Sequence, residues 1–142
     1  MIRGAIILLS LTLLAAGLTH QLHPRAPAWY LAKEKPAEGE VNLQEIQERW
    51  QGQVLWIDAR VRSRYEQQHI PNALLLNEQE FDQQLFDLIE TLQSNTKPVV
   101  IYCDAQKCQA SRQVRDALQQ RVGLKNLWIL HGGWPAWKAA NP

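Results

Sequence analysis

The 142-residue chain has two cysteines, Cys103 and Cys108, five positions apart, and the first ends a run suited to carrying a nucleophile. Val99, Val100, Ile101 and Tyr102 precede Cys103, and the polar segment 104–109 then opens a helical pattern. This predicts a buried strand that delivers a thiol to a turn. Ligands of open parallel sheets bind beyond the carboxyl ends of the strands, so Cys103 is the candidate catalytic nucleophile.

A thiol attacks sulfur only as the thiolate, and unperturbed cysteine titrates near about 8.5, so the site must expose the sulfur and favour its anion. A strand feeding the amino end of a helix supplies unpaired N–H groups and the positive end of a dipole. Lys107 and Arg112 add positive charge, and Asp104 opposes them. A helix terminus contributes up to about 1 kcal/mol at an exposed site, so the loop amides must also converge on the sulfur. Cys108 has three readings: a resolving or redox partner for Cys103, a disulfide staple, or an unpaired bystander. Closing so short a loop contributes only ~2 kcal/mol in the chain-entropy model, against ~5–15 kcal/mol for a domain, which makes stabilisation alone a weak reason for its position.

The elements that must position this thiol follow from hydrophobic period and turn residues. Asn42 with Glu45 forms a capping box, and Leu43, Ile46 and Trp50 give a short helix closing near Gly52. A strand over 54–57 ends in Asp58, a helical turn follows around Tyr65, and 73–76 is a second short strand. The segment 78–93 repeats apolar residues at helical spacing through Phe81, Leu85, Leu88, Ile89 and Leu92. Beyond the cysteines come a helix marked by Val114, Ala117, Leu118 and Val122, a strand over 127–130, and a last turn and helix around Trp134 and Trp137. Strands alternating with helices predict an α/β fold: an open parallel sheet flanked by helices on both faces.

Lys and Arg number 15 against 14 Asp and Glu, with no block of like charge, so no nucleic-acid partner is expected. The cysteine spacing excludes a disulfide-dense secreted scaffold. Arg3 precedes an apolar run over 4–19. About 15 helical residues span roughly 22 Å, short of the ~30 Å hydrocarbon core, so either a membrane anchor or a cleaved signal peptide fits. The positive amino flank places the domain outside the cytoplasm, on the periplasmic side, anchored or secreted. The expected organisation is an anchor or signal over 1–19, a proline-containing linker over 20–40 and a folded domain over 41–142.

Three separated pieces together resemble the rhodanese (sulfurtransferase) family: IDARVRSRYEQQHIPNALLLN at 57–77, VVIYC at 99–103 and LHGGWPAW at 130–137. The resemblance implies a rhodanese-like sheet. It also implies that Cys103 takes a sulfane sulfur from thiosulfate or a persulfide, holds it as a persulfide, and passes it to a thiol acceptor or redox partner protein. No cofactor or metal is implied. Substrate would be held by the loop residues Asp104, Ala105, Gln106 and Lys107 with Ser111, Arg112 and Arg60, while Asp58 and Arg60 fix the loop through hydrogen bonds and an ion pair. His69 and His131 are read as structural. The loop departs from the family pattern, because the position usually held by an anion-binding arginine is Cys108, or Ala110 if Ser111 sets the register. The nearest downstream arginine, Arg112, is nine positions after Cys103, which argues against the phosphatase and arsenate-reductase relatives. A catalytically silent binding module at the membrane is the competing class.

Overall fold

The computed structural model describes residues 36–104 and 109–141. The apolar run, most of the linker, and Ala105, Gln106, Lys107 and Cys108 lie outside the described residues. Among the described residues ten elements follow in chain order: β1 (Glu40–Val41), α1 (Leu43–Trp50), β2 (Leu55–Asp58), α2 (Arg62–Gln67), β3 (Leu74–Leu75), α3 (Phe81–Ser94), β4 (Val99–Tyr102), α4 (Gln109–Val122), β5 (Leu127–Leu130) and α5 (Gly133–Ala140).

The strands form one sheet in the order β1-β5-β4-β2-β3, and every pairing is parallel. Strand β4 lies at its centre with all four residues buried, as an uninterrupted apolar run requires when both faces are covered. Its alternate residues enter separate cores. Val99, Ile101 and the following Cys103 pack with Leu85 and Leu92 of α3 and Val114 and Leu118 of α4. Val100 and Tyr102 face Ile46 of α1, with Trp134 and Trp137 of α5 packed alongside. The α/β fold with helices on both faces is thus the one the sequence predicts.

Local chemistry sets the element ends. The Asn42 side chain accepts from the Glu45 N–H at 2.8 Å, and Glu45 Oε2 accepts from the Asn42 N–H at 2.9 Å, closing the expected capping box. Strand β1 has no counterpart in the sequence reading, because two residues carry no period. It is defined by its partners: Glu40 lies opposite Ile129 and Val41 opposite Leu130, while the Ile129 N–H donates to Gly39 O at 3.0 Å. Among the described residues no helix is long and apolar enough to cross a membrane.

Candidate functional site

Asp58, Cys103 and His131 lie at or just beyond the carboxyl ends of β2, β4 and β5, three neighbouring strands. Asp58 is fully buried and organises one side of this edge. It accepts from Arg60 Nε at 2.9 Å, from Arg60 Nη2 at 2.7 Å and from the Tyr102 hydroxyl at 2.7 Å. Arg60 Nη2 also donates to Gln68 O at 2.7 Å, and the Tyr102 oxygen accepts from the Ile70 N–H at 3.1 Å. Burial works against the Arg60 charge, but hydrogen bonding and charge pairing with Asp58 outweigh it, and the guanidinium is held above its usual pKa. Burial, reinforced by the hydrogen bond to Asp58, pushes the Tyr102 phenol up, so it stays a donor. Asp58 and Arg60 thus form a buried ion pair with hydrogen bonds through Nε and Nη2. Only Nη1 of Arg60 turns toward the loop, 3.6 Å from Asp104.

Cys103 is 2% exposed, where the sequence reading requires an exposed sulfur. Its side chain falls on the face of the sheet that α4 covers, and the first turn of that helix closes over it. Ser111, itself fully buried, donates from Oγ to Cys103 Sγ at 2.9 Å. A serine hydroxyl aimed at sulfur can stabilise a thiolate. The Cys103 carbonyl is pinned by the Trp134 N–H at 2.7 Å, which the turn at Gly132 and Gly133, both at positive φ, brings back across the strand end. Cys103 is disulfide-bonded. The chain's one other cysteine is Cys108.

Arg112, read from the sequence as a charge for the cysteine loop, is placed beside Glu40, with Nη2 3.5 Å from Oε1. The other oxygen of Glu40 meets His131 Nδ1 at 2.9 Å. Burial raises the Glu40 pKa, but the His131 hydrogen bond and the other contacts prevail and hold it below its usual value. His69 is held by its backbone contact with Tyr65 O at 2.8 Å and by stacking on the Tyr65 ring. Among the described residues no three metal-ligating side chains come together.

Sequence reasoning missed Glu40, which it assigned to the linker, and a cavity of about 280 Å³ beside Asp104, lined in part by Arg60, Arg64, Trp134 and Lys138. The Gly-Gly pair before Trp134 was the available signal for the latter, since it turns α5 toward the cysteine.

Proteins of known structure share this fold. A protein from Bacillus halodurans is 23% identical with a TM-score of 0.56, over 72% of each chain. A rhodanese-related protein from Thermoplasma volcanium is 20% identical with a TM-score of 0.54, over 72% of this chain and 92% of its own. A thiosulfate sulfurtransferase from Pseudomonas aeruginosa is 24% identical with a TM-score of 0.55, and the match covers 81% of this chain but 20% of that enzyme. At these identities the likeness shows a shared fold. No curated protein matches the chain. The family model for the rhodanese-like domain matches residues 42–140, from the α1 cap to the last residue of α5, and the chain belongs to the rhodanese-like domain family.

Proposed function

We propose that the domain is a sulfurtransferase or persulfide carrier acting through Cys103, with Cys108 closing the cycle as a resolving thiol. The observation that carries this reading is a cysteine at the carboxyl end of the central strand whose sulfur receives the Ser111 hydroxyl at 2.9 Å. A cysteine serving only as a small apolar core residue needs no such donor.

Cys103 is first released as a thiol when an external dithiol reduces its disulfide, giving up two electrons and two protons. The thiolate then attacks the sulfane sulfur of a donor. A bond forms between Sγ and that sulfur, the donor's sulfur–sulfur bond breaks, and sulfite or a thiolate leaves with the electron pair. An acceptor thiolate attacks the outer sulfur and regenerates the Cys103 thiolate. Alternatively, Cys108 attacks Sγ itself, expels hydrosulfide and closes a disulfide, with the persulfide as the oxidant. The apolar run at 4–19 behind Arg3 supports placing this chemistry at a membrane or in the periplasm.

The 2% exposure of Cys103 and the pairing of Arg112 with Glu40 favour the competing reading, a silent binding module. Intact mass separates the two. Full-length protein is reduced, incubated with thiosulfate or an alkyl persulfide, and weighed before and after addition of a thiol. Gain of one sulfur atom, its loss to the thiol, and no gain in Cys103→Ser support transfer. A reduced wild-type protein that never gains sulfur overturns the proposal.

A further inference from the structure

Strand β5 runs between β1 and β4, and His131 follows its last residue. Ile129 lies opposite Ile101, so two residues further on His131 comes level with Cys103. The two chains stay side by side past the ladder, because the Trp134 N–H still donates to the Cys103 carbonyl at 2.7 Å. Neighbouring strands lie about 4.8 Å apart, and side chains at paired positions share a face. Contacts confirm which face this is. His131 Nδ1 meets Glu40 Oε2 at 2.9 Å, and Glu40 Oε1 meets Nη2 of Arg112, on α4, at 3.5 Å. Ser111, the residue before Arg112, donates to Cys103 Sγ at 2.9 Å. The first turn of α4 thus reaches β4 through one residue and β1 through the next, and His131 stands on the strand between them.

The Glu40 contact decides which ring nitrogen is basic. Glu40 is held below its usual pKa, so at neutral pH it is a carboxylate and only accepts. A neutral His131 therefore carries its proton on Nδ1, and Nε2 holds the lone pair. The two nitrogens lie on opposite sides of the ring, so with Nδ1 turned to β1 the basic nitrogen is on the side of β4. The His131 side chain is 18% exposed and Cys103 is 2% exposed, so the ring has the solvent access that the sulfur lacks. Strand pairing does not require the side-chain contact. Backbone bonds from Ile129 to Gly39 O at 3.0 Å and from His131 to Val41 O at 2.9 Å already hold β1. Among the described residues, the titratable and charged groups about this space are Glu40 from β1, Cys103 from β4 and Arg112 from α4, while Asp104 is turned toward Arg60.

We propose that His131 is the general base that takes the Cys103 thiol proton, with Glu40 as the residue that positions its ring. The proposal rests on the sulfur-transfer reading and adds to it the group that makes the thiolate. The proton passes from Sγ to Nε2, the S–H bonding pair stays on sulfur, and the Glu40 carboxylate faces the imidazolium so formed. The thiolate, held by the Ser111 hydroxyl, then attacks the sulfane sulfur of the donor. The donor's sulfur–sulfur bond breaks, its electron pair leaves on sulfite or a thiolate, and His131 releases its proton to solvent.

Two measurements on the full-length protein test it. In the first, Cys103 is alkylated across a range of pH in a Cys108→Ser background, with and without His131→Gln or Glu40→Gln, after thermal melts have shown each variant to be folded. With His131 present, a reactive thiolate persists below the range of a free thiol. His131→Gln cuts the rate at neutral pH by about tenfold or more and leaves a single titration of the free-thiol kind, and Glu40→Gln cuts it by about two- to fivefold. A profile that His131→Gln leaves unchanged overturns the proposal. The second leaves His131 in place and follows its ring by nitrogen NMR in wild type, before and after a dithiol opens the disulfide. The neutral ring carries its proton on Nδ1, and the Nε2 signal shifts on reduction as it meets the thiol proton. An Nε2 signal that reduction leaves unmoved, or a proton on Nε2 of the neutral ring, overturns the assignment. Sulfur loading from thiosulfate is read separately. Equal loading rates with and without His131→Gln overturn the base while transfer stands; no loading in wild type overturns transfer, and the alkylation profile then decides the base.

Discussion

Replacing Tyr102 with Phe removes one oxygen atom and tests how the strand end is braced. That oxygen donates to Asp58 at 2.7 Å and accepts from the Ile70 N–H at 3.1 Å, and both bonds are buried. A hydrogen bond to a charged group contributes about 1.5–3 kcal/mol, and a buried donor left without a partner costs about 1–3 kcal/mol. The ring itself stays, packed against Trp56 and Trp134, so no large cavity opens. Because the two losses share one oxygen and the backbone can relax, a total of about 2–4 kcal/mol is expected, a large part of the ~5–15 kcal/mol of a domain. In urea, with a slope of about 1–3 kcal/mol per molar, the unfolding midpoint falls by roughly 1–2 M. Asp58→Asn and the double variant complete a cycle, and the coupling should exceed about 1 kcal/mol. A midpoint within about 0.2 M of wild type, or additive single effects, would refute the buried network as the support of the cysteine.

Three further outcomes are expected. In a Cys108→Ser background, Ser111→Ala removes the donor 2.9 Å from Sγ and raises the Cys103 thiol pKa by about 1–2, read from the pH profile of alkylation; an unchanged profile sinks the role of the hydroxyl. Glu40 has a folded pKa below its ordinary 4.5, so its stabilising effect is present above that value and lost as pH falls through the folded pKa. Glu40→Gln should therefore flatten the acid side of the stability curve, and identical acid melts of variant and wild type would contradict this. Gly132→Ala places a Cβ 2.7 Å from the Ala136 Cβ at φ +79°, and thermal melts should show a loss of about 1–3 kcal/mol, with no loss counting against a tight turn at this position.

Most of the fold was legible because its signals are local. The β4 run over Val99–Tyr102, the Asn42–Glu45 capping box and the apolar spacing of α3 each announce an element without reference to the rest of the chain. The residues flanking Cys103 were less so. Arg112 reads as a loop charge from its nearness in sequence, yet helical geometry carries its side chain to Glu40, 72 positions away. Glu40 looked like linker because a two-residue strand exists only when a neighbouring edge is there to pair with it.

By itself the sequence determined that a cysteine ends the central strand, which elements surround it, and that Asp58 and Arg60 lie together at the adjoining strand end. Only the tertiary structure decided that Cys103 is buried beneath Ser111, that His131 and Arg112 share Glu40, and that Arg60, Arg64 and Lys138 border one cavity. Period and capping are fixed by residues a turn apart, whereas burial and charge pairing depend on which distant segments the sheet order brings side by side.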